Sequence, residues 1–314
     1  MINLVLLAVG LAGLWLGADL IINSSQRVAK SLNISEAFIG LTILSIGTSL
    51  PEIMTHIMSS IDILRGIETS GIAVGTNVGS NIFQITLIVG LVGVLVTIKS
   101  TKTIIKRDYV LMLSAILLLW LFSFGGINPI EGAILAIIYI LYLYFLSKGE
   151  KIVEKNPFQT NYIKDFLFII VGITILLFAA DFVVDKAVLL SLNWGIAESF
   201  VGTLIIGIGT ALPELTTAII GIIKGANDIS LGTLVGSNIT NPTLALGLGA
   251  AISGYTVDKY LLWYDIPAWF LFSLIILFFF YKDHRLSRRE AVVCISFFIA
   301  YALFKLLVLK SLWG

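Results

Sequence analysis

Ten apolar stretches, separated by short polar ones, leave this chain few ways to fold. They run over 3–23, 37–64, 71–98, 109–124, 130–147, 166–190, 199–223, 231–253, 260–281 and 290–310. About 20 apolar residues in a row make a helix long enough to cross the hydrocarbon of a bilayer. Within hydrocarbon only a helix or a closed barrel satisfies its own backbone. Composition agrees: 58% of the residues are hydrophobic and 12% charged, about half the charged fraction of an ordinary soluble domain. A soluble globule of 314 residues would need a charged exterior that this sequence does not supply. The single cysteine, Cys294, excludes a disulfide scaffold, and no Cys/His cluster is present to hold zinc or an iron–sulfur centre. A net charge of +1 generates no field for nucleic acid. An all-α, multi-pass integral membrane protein follows, with the lipid bilayer as its surroundings. The first stretch has no basic n-region and exceeds a signal peptide's apolar core, so it is expected to stay as an uncleaved span.

Lysines and arginines give the expected orientation, because they concentrate on the cytoplasmic side. Fifteen of the 20 basic residues fall on one side, among them Arg27, Lys99, Arg107, Lys148, Lys224 and Arg285. The other side holds five: Arg65, Lys186, Lys259, Lys305 and Lys310. The 148–165 loop is therefore placed in the cytoplasm and both termini outside, in a plasma membrane. The sequon at Asn33 then faces the cytoplasm and reads as chance.

The two halves of the chain repeat. Gly40 to Glu52 reads GLTILSIGTSLPE and Gly202 to Glu214 reads GTLIIGIGTALPE, an offset of 162 that also pairs Asp19 with Asp181. A second block, GTNVGSNIFQITLIVG from Gly75, matches GTLVGSNITNPTLALG from Gly232 at an offset of 157. Residues 1–147 form the first five-span unit, 148–165 a polar linker and 166–314 the second unit. An odd number of spans turns the second unit upside down. Inverted repeats with interrupted helices mark secondary transporters, whose sites lie near the midplane.

The chemistry sits in the interruptions. Pro51 has no N–H and its ring clashes with the carbonyl of Gly47, so the second span must kink or break there. Carbonyls freed around Gly47 and Thr48 are tolerated only in protein or a wet cavity. Thr48 and Ser49 add hydroxyls at that level, and Glu52 follows one turn after Thr48. Pro213 repeats the arrangement with Thr210 and Glu214. A carboxylate at mid-membrane costs about 2.5–3.5 kcal/mol or more, and two facing each other also repel. A divalent cation offsets both costs. Oxygen ligands alone select a hard ion, and Ca2+ with its 6–8 oxygens ranks above Mg2+, which dehydrates reluctantly. Ser80 and Ser237 belong to Gly-Ser-Asn steps expected to weaken their helices. Four residues on lie Gln84 and Asn241, neutral amides able to offer a carbonyl oxygen. Hydroxyls and amides of this kind also serve as packing and interhelical glue. Asp19 and Asp181 read as interfacial or capping residues, and His56, unmatched in the second copy, as packing. Trp120 and Trp263 read as interfacial anchors.

These motifs resemble the alpha repeats of the cation/Ca2+ exchanger superfamily, and within it the Na+/Ca2+ exchangers: GTSLPE with GxxxGSN, then GTALPE with GxxxGSN. The resemblance implies that Glu52 and Glu214 bind Ca2+ together with backbone carbonyls of Thr48 and Thr210. It implies Na+ sites drawing on Thr48, Ser49, Ser80, Thr210, Ser237 and the carbonyls of Ser45 and Gly207, with Gln84 and Asn241 at central polar positions. Ala211 departs from the pattern by standing where the first copy has Ser49. The amides at 84 and 241, where K+-dependent relatives carry Asp, argue against K+ cotransport. An exchange ratio of three Na+ per Ca2+ is likewise implied by the resemblance, as are the first and sixth spans as the moving pair.

Antiport of Na+ against Ca2+ by alternating access is therefore expected, with both ions as substrates, no cofactor and no obligate protein partner. The alternative is H+/Ca2+ antiport through the same two glutamates. A channel or a membrane-embedded enzyme stands further off, since no nucleophile–base pair is present.

Overall fold

The structure is a computed structural model that describes residues 2–149, 162–193 and 209–305, and these are almost wholly helical. In chain order the helices are α1 (Ile2–Leu32), α2 (Glu36–Thr48), α3 (Leu50–Leu64), α4 (Ser70–Leu95), α5 (Ile104–Gly125), α6 (Pro129–Gly149) and α7 (Tyr162–Asn193). They continue as α8 (Leu212–Ile223), α9 (227–253), α10 (Leu261–Asp283) and α11 (Arg288–Phe304). Among the described residues six helices are long and apolar enough to cross a membrane, and α2 with α3 forms a seventh span bent by 45°. Of the ten expected spans, the seventh is described only from residue 209.

The pattern of burial is inverted relative to a soluble protein. Phe145, Phe178 and Ile130 stand 61%, 73% and 74% exposed, while Glu52, Asn77, Gln84, Glu214, Asn238 and Asn241 are all buried. Apolar side chains facing outward and polar ones inward are stable only in lipid, where a polar group must find its partners inside the bundle.

Helices α1 and α7 are 31 and 32 residues long, about 46–48 Å at 1.5 Å per residue. That length exceeds the ~30 Å hydrocarbon layer and implies tilt or overhang. The two run antiparallel, with Gly17 against Leu176 and Gly172 against Ile21. The first span was expected to end at 23 but continues to Leu32. Its polar last turns are satisfied sideways: Arg27 pairs with Asp165 at 2.6 Å, and Lys224 pairs with Asp19 at 2.5 Å and Asn23 at 2.7 Å. Asp19 is thus an interhelical ion-pair partner and not a cap.

The Gly-Ser-Asn steps, expected to weaken their helices, lie within the continuous α-helical stretches Ser70–Phe83 and Asn227–Thr240. Ser80 Oγ and Asn81 Nδ2 both donate to the Asn77 carbonyl, at 3.1 and 2.8 Å, keeping those polar groups inside the helix. The irregularity falls just beyond, as π turns at Gln84–Ile88 and Asn241–Ala245. Such turns insert a residue into an α-helix and often mark functional positions. Two more π turns, Ile104–Asp108 and Leu261–Asp265, open α5 and α10 at the same offset of 157. Each ends in a buried carboxylate. Asp108 is held by Arg107 at 2.8 Å and Tyr142 at 3.1 Å, and Asp265 by Tyr301 at 2.6 Å and Lys305 at 2.8 Å.

Loops group at two ends of the bundle. Ile98–Lys99 pairs antiparallel with Arg285–Leu286 at one end. Ile127 bridges to Tyr255 at the other. Close helix crossings depend on glycine: a Cβ on Gly40 would lie 2.6 Å from the Ile229 carbonyl, and one on Gly132 would lie 2.6 Å from the backbone carbon of Ala250. The first crossing presses α2 onto α9 and so brings the two repeated blocks together.

Candidate functional site

Pro51 and Pro213 each stand in the first turn of a helix, α3 and α8, where the missing N–H leaves no intrahelical bond unmade. The residues just before those helices share one conformation, Ser49 at φ −85°, ψ 8° and Ala211 at φ −94°, ψ 6°. The predicted break at Pro51 is the 45° bend between α2 and α3. It sets Glu52 and Glu214 in the first turn of a helix, facing the positive end of its dipole. Both are buried, at 2% and 0% exposure, and they lie within electrostatic reach of each other.

Hydroxyls from both copies meet at Glu214. Ser49 Oγ and Ser237 Oγ donate to Glu214 Oε1 over long distances of 3.5 and 3.4 Å. Thr48 Oγ1 lies 3.5 Å from Ser237 Oγ while donating to the Leu44 carbonyl at 2.9 Å. Thr210, half-buried, sits at the break before α8. Glu52 is provided for differently, since among the described residues no other side chain or backbone N–H donates to either of its oxygens. Glu214 Oε2 is likewise without a partner.

The remaining expected residues divide. Ser80 Oγ is turned back onto Asn77 at 3.1 Å. Ser45 offers its carbonyl to the Ser49 N–H at 3.1 Å and its hydroxyl to the Leu41 carbonyl at 2.8 Å, so that carbonyl is already engaged by one donor. Gly207 lies outside the described residues. Gln84 Oε1 accepts from Asn238 Nδ2 at 3.0 Å, leaving Gln84 Nε2 unpartnered. Asn241 Nδ2 reaches Asn81 Oδ1 at 3.4 Å, leaving Asn241 Oδ1 unpartnered.

Among the described residues, buried oxygens without donors are therefore concentrated here: both of Glu52, one of Glu214 and one of Asn241. Leaving a buried polar group unsatisfied costs roughly 1–3 kcal/mol, more when charged. Among the described residues neither glutamate has an ion-pair partner, and no cluster of three or more His, Cys, Asp and Glu exists. Two carboxylates among neutral oxygens suit a hard cation that must also be released.

Sequence reasoning missed a second polar layer behind these residues. Asn77 Nδ2 donates to the Asn241 carbonyl at 2.8 Å and faces His56 Nε2 at 3.0 Å. His56 is no mere packing residue. Its Nδ1 meets Tyr255 Oη at 3.2 Å. Asn77 belongs to the repeated block, but Leu234 stands at the matching place in the second copy, so the duplication hid it. Trp120 does reach a backbone partner, the Leu262 carbonyl at 2.9 Å, and Trp263 is 62% exposed at the rim.

Comparison with known proteins agrees with this geometry along the whole chain. Residues 2–148 and 164–307 match the family model described as sodium/calcium exchanger protein. Sodium/calcium exchanger MaX1 of Methanosarcina acetivorans is 29% identical over 345 residues, covering 96% of this chain and 97% of that one. Inner membrane protein YrbG of Escherichia coli is 32% identical over 284 residues, covering 86% of each. The fold aligns with the sodium-calcium exchanger NCX_Mj, soaked with 10 mM Na+ and zero Ca2+, at a TM-score of 0.84, 26% identity and 98% coverage of both chains. With Glu52 and Glu214 buried in the first turns of α3 and α8 inside an apolar bundle, and with both halves matched, the chain belongs to the sodium/calcium exchanger protein family, membrane transporters and not enzymes.

Proposed function

We propose that this protein exchanges Na+ for Ca2+ across the membrane by alternating access, with Glu52 and Glu214 as the shared ligands. The observation that carries this reading is the pair of buried glutamates, of whose four oxygens only Glu214 Oε1 has a donor among the described residues, with Ser49, Ser237 and no cationic side chain beside them. Ca2+ takes both carboxylates, with the Thr48 and Thr210 carbonyls completing its shell. Na+ uses the same glutamates with the hydroxyls of Thr48, Ser49, Thr210, Ser80 and Ser237, the amides of Gln84 and Asn241, and the carbonyls of Ser45 and Gly207. The names of the relative MaX1 and of the neighbour NCX_Mj support Na+ and Ca2+ as the two substrates.

Coupling follows from electrostatics. Carrying two bare carboxylates past an apolar barrier leaves uncompensated buried charge, which costs several kcal/mol per ion. The bundle therefore changes its facing only when loaded, and exchange results. Residues 1–147 and 166–314 act as inverted halves joined by the 148–165 linker, which gives the two facing states similar energies. The end carrying Lys99, Lys282 and Arg285 faces the cytoplasm, and both termini lie outside.

The test is ion flux in proteoliposomes containing the full chain. An outward Na+ gradient is expected to drive Ca2+ uptake, and Glu52→Gln and Glu214→Gln are each expected to abolish it. Normal uptake by either variant defeats the assignment. Uptake driven by a pH gradient in the absence of Na+ would favour H+/Ca2+ antiport at the same glutamates.

A further inference from the structure

One buried titratable group has no part in the exchange described so far. His56 lies on α3 one turn beyond Glu52 and is 1% exposed. Its matching position in the second copy is Ala218, so whatever it does is done once per molecule. Three helices and a loop converge on it: α3, α4 through Asn77, α9 through Gly249, and the turn after α9 through Tyr255.

The hydrogen bonds around it can be accounted for one by one. Asn77 Nδ2 donates to the Asn241 carbonyl at 2.8 Å, and Asn77 Oδ1 accepts from Asn81 Nδ2 at 3.3 Å. Those two partners fix which end of the Asn77 amide is nitrogen. The second hydrogen of Nδ2 then points at His56 Nε2, 3.0 Å away, which must accept it. The imidazole proton is left on Nδ1 and goes to Tyr255 Oη at 3.2 Å. Tyr255 donates in turn to the His56 carbonyl at 2.9 Å, and Ser60 Oγ, 2.9 Å from Tyr255 Oη, gives its hydrogen to that oxygen or to the Gly249 carbonyl at 2.8 Å. In this neutral tautomer every hydrogen has an acceptor. A proton on Nε2 would set two donors face to face, and turning the Asn77 amide to relieve them would press its oxygen against the Asn241 carbonyl.

That carbonyl is where the chain of contacts reaches the site. It also accepts the Leu246 N–H, the bond that closes the π turn Asn241–Ala245. The Asn241 side chain leaves this turn with Nδ2 tied to Asn81 and Oδ1 buried and without a donor. We infer that His56, locked as the Nδ1–H tautomer by Tyr255, orients Asn77 and through it holds the Asn241 turn, so that His56 is a positioning residue for the Asn241 oxygen on the cation. The inference rests on the reading of Asn241 as part of the cation site.

Two measurements test it. In the proteoliposome assay, His56→Ala is expected to raise the half-saturating Na+ concentration for Ca2+ flux about five-fold, the size of one lost hydrogen bond, with the maximal rate largely kept. His56→Gln, whose amide oxygen can accept from Asn77, is expected to recover most of the affinity. A half-saturating concentration unchanged in folded His56→Ala, or a loss of maximal rate that Gln fails to restore, overturns the inference. The second measurement needs no transport. The chain has 2 histidines, so His284→Gln leaves His56 as the sole source of histidine 15N signals in detergent. These are expected to show a protonated Nδ1 and an accepting, unprotonated Nε2, with the Nε2 signal moving on addition of Na+. A protonated Nε2, or a signal indifferent to Na+, overturns the inference even where the wild-type protein exchanges normally. Failure of wild-type Na+-driven uptake, by contrast, strikes the exchange reading while the tautomer measurement still decides this one.

Discussion

Restoring the hydroxyl that the second copy lacks offers a sharp test of the site. Ala211 is fully buried and takes the same backbone conformation as Ser49, within 9° in φ and 2° in ψ. Ser49 Oγ reaches across to Glu214, the glutamate of the opposite copy, at 3.5 Å. By the repeat, a serine at 211 reaches toward Glu52, whose two oxygens lack donors among the described residues. A hydrogen bond to a charged group contributes about 1.5–3 kcal/mol at good geometry, and the 3.5 Å counterpart lies beyond the usual O–H···O range. About 1 kcal/mol is therefore the expected gain, or about five-fold in an equilibrium constant. The added oxygen is also a neutral ligand of the kind Na+ accepts. Ala211→Ser is accordingly expected to lower the half-saturating Na+ for Ca2+ flux about five-fold and to leave the thermal stability of the ion-free protein equal or higher. A hydroxyl buried there without a partner would instead cost about 1–3 kcal/mol. A fall in Tm with no gain in Na+ affinity would therefore refute the placing of Glu52 opposite residue 211.

Three other outcomes follow from the packing. Pro51→Ala removes the ring that clashes with the Gly47 carbonyl and lets α2 and α3 straighten into one helix; flux is expected to fall at least about tenfold while Tm does not drop, because the new N–H gains a partner once the helices are continuous. Tyr301→Phe removes the 2.6 Å donor to buried Asp265 and leaves Lys305 as its partner, so thermal unfolding in detergent should show a loss of about 1.5–3 kcal/mol. Gly132→Val drives side-chain atoms into the α9 backbone at Ala250, and at about 1–3 kcal/mol or more of overpacking the yield of monodisperse protein should collapse.

Much of the fold was legible because it rests on local covalent facts. A proline ring excludes its own helix hydrogen bond wherever it stands, so the bend at Pro51 could be placed from the residue alone. Runs of apolar residues located six of the crossing helices among the described residues. Duplicated blocks singled out Thr48, Ser49, Ser237 and Glu214, which the bundle brings together. Where the pattern misled, side chains were satisfied by groups distant in sequence. Arg27 and Asn23 looked like the end of a span, yet Asp165 and Lys224 let α1 run on to Leu32. The Gly-Ser-Asn steps looked like weak points in their helices, yet the Asn77 carbonyl accepts from Ser80 and Asn81 in the first, and Glu214 and Gln84 accept from Ser237 and Asn238 in the second.

Hydropathy and proline thus determined by themselves that the chain lives in a membrane, where its second span breaks and which acidic residues lie at that break. Only tertiary structure decided which oxygens are left without donors, that Asp108 and Asp265 are held by tyrosines from α6 and α11, and that His56 stands behind Asn241. The difference is one of range. A residue's effect on its own helix is carried in its neighbours along the chain. A hydrogen bond between helices depends on how each is rotated about its axis and at what depth it crosses the next, and close contacts such as Gly40 on Ile229 set those quantities only once the bundle has closed.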